Sequence, residues 1–417
     1  MKARDIGAIP GHVNVFGGLP GVGDCRNTRA MADEDTPDFT LPDVAGHRFE
    51  LLEDGPERLE ALVELIDAAT RSIRLLFYIF DDDEASTRVR DALLRAYRRG
   101  IEVSLLVDGF GSDKTGSDFF DELEQSACFF CYFQPKRTRR YLLRNHQKMA
   151  IADEESALVG GFNVRDGYFA PDRSDGWRDL GLRVSGPAVA RLARYFDDIC
   201  KWSSDRDAEM EGLRDILHHY HEQDGDVRWT FGGPTRELSP WAQTLRNDLY
   251  GAEKIDMIAA YFAPHAALMR PVAEAGKRGR SRVITAAKSD NNVTIAAARN
   301  RHRYLLPETQ VYEYQPMMLH TKLYVVDDIT YIGSANFDVR SLYLNLEVML
   351  RVNDRKFADV MRRYVDHEIG DSERITPEAY AASRTIWTRI KGRLSYFLMS
   401  VLDYNISRRL NFGLDGV

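Results

Sequence analysis

Long apolar runs are missing from this 417-residue chain. A helix that crosses a bilayer needs ~18–20 consecutive apolar residues, and the longest early run, Leu75 to Phe80, stops at Asp81-Asp82-Asp83-Glu84. The expectation is a soluble or peripheral protein with neither a signal peptide nor a transmembrane helix. Cysteine is scarce, with four in the chain. Cys128 and Cys131 form a Cys-x-x-Cys, but no second cysteine pair or suitably spaced histidine pair completes a zinc site. Reduced thiols buried in a strand are therefore expected, which fits a reducing compartment. His218-His219-Tyr220-His221 likewise lacks a carboxylate at ligand spacing and is expected on a surface helix. Excess positive charge is also absent: 56 Lys and Arg against 64 Asp and Glu give a net charge of −8. General nucleic-acid binders neutralise phosphates with a basic surface, so no nucleic-acid partner is expected.

What the chain has is one pattern, twice. His146-Gln147-Lys148 is followed by Asp153 and then Gly160-Gly161-Phe162-Asn163; His320-Thr321-Lys322 is followed by Asp327 and then Gly333-Ser334-Ala335-Asn336. A lone His-x-Lys is noise, but two copies with the aspartate and the Gly-x-x-Asn tail at matching distances are not. The repeat extends outward, which marks a duplicated domain. Asp179 to Val184 matches Glu347 to Val352, Ser72 to Phe80 parallels Lys254 to Phe262, and Arg99-Gly100 parallels Arg278-Gly279. Apolar runs alternate with helical patterns such as Arg88 to Arg98 and His265 to Lys277. That alternation predicts an α/β fold: two repeated domains built around largely parallel sheets, related by a pseudo-twofold axis.

Chemistry explains the pairing. A neutral histidine is a competent nucleophile near pH 7, but attack on a phosphodiester also needs an acid for the departing alkoxide and positive charge around the phosphoryl oxygens. Two copies facing one another supply a nucleophilic histidine, a histidine acid, Lys148 and Lys322, and Asn163 and Asn336, with no metal or cofactor required. Asp179 and Glu347 are each expected to accept a hydrogen bond from the histidine of their own domain and fix its tautomer. The site belongs at the domain interface.

These residues resemble the phospholipase D superfamily, whose signature is His-x-Lys-x4-Asp with a Gly-Gly/Ser-x-Asn tail. Within it the chain is most similar to bacterial cardiolipin synthases, through His320 to Asp327, Gly333 to Asp338, Arg340-Ser341 and Asn345-Leu346-Glu347. The resemblance covers roughly residues 45 to 370 and is to the shorter forms without a membrane anchor. It implies transfer of a phosphatidyl group from one phosphatidylglycerol to a histidine and then to the glycerol hydroxyl of a second. It also implies His146 as nucleophile, His320 as acid, and a catalytic set of His146, Lys148, Asp153, His320, Lys322 and Asp327. Asn163, Asn336, Ser334, Asp179 and Glu347 make up the phosphate-binding and orienting set, the two acids orienting the histidines. One strand beyond the histidines, Asp153 and Asp327 suit a structural ion-pairing role at least as well. The implied setting is peripheral, on an anionic phospholipid surface at the cytoplasmic face of the bacterial inner membrane. With water or serine as acceptor the same histidines make a hydrolase or a phosphatidylserine synthase, and a nuclease of the superfamily would carry more positive charge.

Residues 1–44, rich in Gly, Pro and Asp, are expected to be disordered, with Met31 as a plausible internal start. The first domain is expected over 45–205, a polar connector over 206–226 and the second domain over 227–372. The tail, 373–417, opens with Thr376 as N-cap and Pro377 at the first helical position. Ile386, Ile390, Leu394, Phe397, Leu398 and Val401 share one of its faces, suited either to an anionic membrane or to packing on the second domain. Lys136 to Arg144 mixes cations with apolar residues beside His146, where an anionic headgroup would enter. Lys277 to Arg282 and Arg299 to Arg303 are read as solvated basic faces.

Overall fold

The computed structural model describes residues 38–116, 118–133, 143–205, 207–235, 237–383 and 385–397. The first half contains β1 (Arg48–Leu52), α1 (Gly55–Ala68), β2 (Ser72–Phe77), α2 (Glu84–Arg98), β3 (Glu102–Asp108), α3 (Asp121–Gln125), β4 (Phe129–Phe133), β5 (Met149–Ala152), β6 (Ser156–Gly160), β7 (Trp177–Arg178), β8 (Gly181–Ser185) and α4 (Ala188–Ser204). Helix α5 (Met210–Tyr220) leads into the second half. There follow β9 (Val227–Gly232), α6 (Pro240–Leu249), β10 (Lys254–Ala259), β11 (Phe262–Ala263), α7 (Ala266–Arg278), β12 (Arg280–Ala286), α8 (Asn292–Leu305), β13 (Gln310–Tyr314) and β14 (Met318–Leu319). The chain continues through β15 (Lys322–Val326), β16 (Ile329–Gly333), β17 (Phe337–Asp338), α9 (Val339–Tyr343), β18 (Glu347–Asn353), α10 (Arg355–Gly370), β19 (Ser372–Ile375), α11 (Pro377–Ser383) and α12 (Ile386–Phe397).

One sheet runs β1-β8-β6-β5-β2-β3-β4 and the other β19-β13-β12-β10-β15-β16-β18-β9. Apart from β19, the second order is the first repeated, β9 standing for β1 and β13 for β4, so the sequence repeat is a repeat of topology. The sheets are less parallel than expected. Only β2-β3-β4 and β10-β12-β13 are parallel, while β5, β6 and β8 and their counterparts pair antiparallel. The reason is the turn that follows each motif strand. Asp153 and Glu154 (φ 56° and 63°) and Asp327 (φ 47°) reverse the chain within a few residues, far too few for a parallel crossover.

A central apolar core joins the inner faces of both sheets, through Leu76, Met149 and Ile151 on one and Ile258, Leu323 and Ile332 on the other. Between them lie Leu192 and Phe196 of α4 and Phe357, Met361 and Tyr364 of α10. Separate clusters cover the outer faces, under α1 and α2 in the first half and α6 and α7 in the second. The motif strands are thus buried on both sides, which holds their ends in place.

Several expectations need correction. Within the N-terminal stretch expected to be disordered, Phe39, Leu41 and Val44 are buried in the central core, Phe39 edge-on to Tyr364 at 5.5 Å; residues 1–37 lie outside the described residues. The polar connector holds an amphipathic helix, α5, with Leu213, Leu217 and Tyr220 buried. His218 and His219 are exposed, but His221 is buried, accepting from Phe231 N at 3.2 Å and lying 3.2 Å from Thr244 Oγ1. Cys128 and Cys131, at edge strand β4, are half-buried rather than buried. Asn300, Arg301 and His302 of α8 are buried, as is Arg282, which pairs with Asp256 at 2.5 Å, so neither basic stretch is merely a solvated face. Residues 136–142 of the basic run before His146 lie outside the described residues, as do Leu398 and Val401. The tail forms two helices; Thr376 Oγ1 accepts from Ala379 N at the start of α11.

Candidate active site

His146 sits three residues before β5 and His320 two before β15, with Lys148 just ahead of the one strand and Lys322 the first residue of the other. The segments just ahead of them join the halves. Asn145 bridges Leu346 in parallel, with His146 N donating to Leu346 O at 2.9 Å and Leu346 N to Arg144 O at 2.9 Å. In the other copy β14 pairs with β7, Leu319 opposite Arg178, and His320 N donates to Arg178 O at 2.7 Å. One step further along each pairing brings His146 beside Glu347 and His320 beside Asp179.

The carboxylates are therefore crossed between halves. His146 Nδ1 lies 3.0 and 3.1 Å from the two oxygens of Glu347, and His320 Nδ1 lies 2.6 Å from Asp179 Oδ2. This corrects the expectation that each acid serves its own domain's histidine. With Nδ1–H donating to a carboxylate, Nε2 is left with the lone pair that can attack or accept a proton. Lys322 Nζ is 2.7 Å from the same Nδ1 of His320. A nitrogen donating to Asp179 cannot accept from an ammonium as well, so the lysine's bond is the one it makes to His320 O. Lys148 Nζ makes the equivalent bond to His146 O at 2.6 Å.

Burial dominates the electrostatics. It holds His146 down to about 4 and His320 to about 3, against the pull of Glu347 and Asp179, so both rings are neutral at pH 7. The same burial lowers Lys322 to about 8 and Lys148 well below the ordinary lysine range. Lys148 feels Lys322 and Asp179, and His146 feels Lys322, so the two motifs form one electrostatic unit.

The orienting residues differ in what they touch. Glu347 is braced by Ser334 Oγ (2.5 Å), Ser341 Oγ (2.8 Å) and Asn345 Nδ2 (3.4 Å), which makes Ser334 a support for the carboxylate. Asp179 accepts from Leu180 N at 2.8 Å and lies against Gly161, where an added Cβ would come 2.4 Å from Asp179 Oδ1. Glycine is required there by space, and at Gly333 by both φ (158°) and the Val348 carbonyl, 2.2 Å from where a Cβ would stand. Asn163 accepts from Ile79 N at 3.1 Å and bonds Tyr168, while the buried Oδ1 of Asn336 has no partner among the described residues.

Asp153 and Asp327 are placed elsewhere, and among the described residues their carboxylates accept from backbone N–H groups and a hydroxyl rather than from a cation. Asp153 accepts from Thr70 N and Oγ1, Arg71 N and Ser72 N, at 2.7 to 2.9 Å, and Asp327 Oδ1 from Glu253 N and Lys254 N at 3.0 and 2.8 Å. Each fastens the start of β2 or β10 from the far end of its motif strand. The four residues of β5 alone put Asp153 roughly 13 Å beyond Lys148.

Sequence reasoning missed an aromatic wall. Tyr78 packs edge-on to His146 at 5.1 Å, and Tyr168, Trp177 and Tyr261 pack edge-on to His320 at 5.0, 5.3 and 6.1 Å. Tyr78 and Tyr261 both lie just past the end of a core strand, β2 or β10, but one place out of register with each other, so aligning the repeat does not single them out. Asp108 and Asp338, both raised to about 6 by burial, also border the site; Asp108 receives Phe110 N, Gly111 N and Asn145 N, and Asp338 receives Ser341 N. Asp108 organises the segment carrying Asn145, and Asp338 caps the start of α9, which carries Ser341. Among the described residues no cluster of His, Cys, Asp and Glu is arranged to hold a metal ion.

Comparison with known proteins finds the same duplication. The family model described as "Cardiolipin synthase, PLD-like domain" matches residues 62–200 and 246–369, one block in each half. A cardiolipin synthase of Listeria innocua is 31% identical over 367 residues, covering 85% of this chain and 76% of that one. Cardiolipin synthase B of Salmonella typhimurium is 29% identical over 374 residues, covering 85% and 88%. Among solved structures, the phosphatidylserine synthase of Haemophilus influenzae superposes with a TM-score of 0.68 at 14% identity, over 86% of this chain and 95% of that one, and so shares the fold.

Proposed function

The chain belongs to the cardiolipin synthase family of phospholipase D-like domains, and on that premise we propose that it makes cardiolipin and glycerol from two phosphatidylglycerols through a phosphatidyl-histidine. The observation that carries the proposal is the crossed pairing of His146 with Glu347 and His320 with Asp179, which gathers both motifs around one site.

In the first half-reaction, Nε2 of neutral His146 attacks phosphorus, the bond to the headgroup glycerol oxygen breaks, and His320 gives that oxygen its proton. Lys148, Lys322, Asn163 and Asn336 offset charge on the remaining phosphoryl oxygens. The bound phosphodiester is itself anionic, and its charge opposes the burial that keeps His320 unprotonated in the free enzyme. In the second half-reaction, neutral His320 takes the proton from the glycerol hydroxyl of another phosphatidylglycerol. That oxygen attacks phosphorus, the P–N bond breaks, and His146 is regenerated. One acid–base residue works in both directions. The aromatic wall of Tyr78, Tyr168, Trp177 and Tyr261 limits water at the intermediate, which favours transfer over hydrolysis. In this reading the enzyme works on its lipid substrates from the membrane surface, at the cytoplasmic face of the inner membrane; no described helix is long and apolar enough to cross a membrane.

The test is product analysis with phosphatidylglycerol as the only lipid. Cardiolipin and glycerol should appear in near-equal amounts with little phosphatidic acid. Predominant phosphatidic acid would make the protein a hydrolase with the same paired histidines.

A further inference from the structure

We propose that the outward face of α12 is a membrane-docking surface for an anionic bilayer; this deepens the proposed lipid chemistry and rests on it for the identity of the surface. The helix has two faces. Its inner one packs on α8: at Gly392 an added Cβ would already stand 3.3 Å from Ala296 O and Asn300 Cβ, and Ser395 is 4% exposed. Tyr396 lies under the Arg301 guanidinium, 3.2 Å from ring centroid to carbon, with its hydroxyl 3.5 Å from His265 Nδ1. These contacts fix the helix on the second half and decide which residues face away.

Those residues are Ile386 (75% exposed), Trp387 (79%), Ile390, Leu394 and Phe397. They fall on one stripe at helical period. Single exposed apolar residues are ordinary, but a row of large ones on one helix marks a surface that meets something. Charge identifies the occupant. The helix carries Arg389, Lys391 and Arg393 and no acid, with Lys391 and Arg393 exposed. An apolar stripe with a tryptophan, flanked by cations alone, is the composition that settles at the headgroup layer of an anionic membrane. The 12 described residues reach about 18 Å against a hydrocarbon core of about 30 Å, and their inner face is already taken up by α8, which suits a helix lying on a membrane.

Position suits the role. Tyr396 touches His265, whose ring is 5.7 Å from that of Tyr343, and four residues before His265 stands Tyr261, with its ring 6.1 Å from His320. The helix is therefore anchored at the end of the second sheet where the catalytic histidine lies.

The experiment is co-sedimentation of the full chain with extruded vesicles of phosphatidylglycerol and phosphatidylethanolamine, compared with pure phosphatidylcholine. The protein should sediment with the anionic vesicles and not with phosphatidylcholine. The double variant Trp387→Glu/Leu394→Glu should lower partitioning at least tenfold, and Lys391→Gln/Arg393→Gln about fivefold or more with a weaker salt dependence. Both should keep the wild-type melting temperature and turn over substrate in detergent micelles within about twofold of wild type, since the changed side chains point away from the core. Unchanged vesicle binding in Trp387→Glu/Leu394→Glu overturns the proposal. So does a variant that loses self-association by light scattering while keeping its vesicle binding, which would assign the face to a second copy. Binding needs no turnover, so the proposal survives if the lipid product proves to be something other than cardiolipin.

Discussion

The two halves share a topology but hold each other's histidines differently. Glu347, which serves His146, is long and braced by Ser334, Ser341 and Asn345. Asp179, which serves His320, is one carbon shorter and packs against bare Gly161, receiving Leu180 N instead of a set of side chains. Ser334 and Gly161 occupy the same place in the repeat. Where the acid is long, a hydroxyl steadies it; where it is short, a glycine makes room for it. Compensating changes keep a carboxylate oxygen 2.6 to 3.1 Å from each Nδ1, and the crossing means that neither half orients its own histidine alone.

The strongest way to break this comparison is to remove either histidine. His146→Ala and His320→Ala should each lower turnover of phosphatidylglycerol by at least about 10³-fold, measured by mass spectrometry of the lipid products. Activity retained in either variant would end the shared-site reading. The crossing is sharpened by the carboxylates. Glu347→Gln and Asp179→Asn should each cost roughly 10²–10⁴-fold, because the histidine loses its orienting acceptor. Imidazole ¹⁵N shifts then decide the wiring: Glu347→Gln should disturb His146 and spare His320, and the reverse pattern would restore own-half pairing.

Acid stability comes next in size. His146, His221 and His302 are held down to about 4 and His320 to about 3 by burial, against ordinary values near 6.5. These rings are neutral in the fold and protonate more readily when unfolded, so unfolding takes up protons. Their contribution is intact above pH ~6.5 and is lost as pH falls through 6.5 toward 4, at about 1.4 kcal/mol per pH unit for each. Urea unfolding across that range measures it, and a flat profile would contradict neutral burial. The smallest effects belong to the turn aspartates. Asp153→Ala and Asp327→Ala should each cost roughly 1–3 kcal/mol of stability through lost backbone bonds. Turnover of the folded enzyme should stay within about threefold; a loss as large as that of a histidine variant would return these residues to the catalytic set.

Much of the molecule is legible along the chain because it is written in local periods. Alternating strands, amphipathic helices and the repeated His-x-Lys need only neighbours in sequence to be seen, and the cap at Thr376 needs only Pro377 beside it. Asp153 and Asp327 show the limit of that reading. Their spacing from the histidines is fixed because the motif strand has a fixed length, and fixed spacing alone does not tell a catalytic group from one that fastens a turn. Phe39 and α5 show another, since polar composition hid the few apolar side chains that bind them to the core.

By itself the sequence determined the α/β duplication, the residue types of the chemistry and the family. The tertiary structure alone decided which acid serves which histidine. That choice depends on Asn145 meeting Leu346 and Leu319 meeting Arg178, contacts between segments 201 and 141 residues apart. Within one repeat, own-half and crossed pairing look the same, because the distance along the chain from histidine to acid is similar in both copies. Only backbone bridges between the halves, formed when two sheets close over one apolar core, set the carboxylates across the interface.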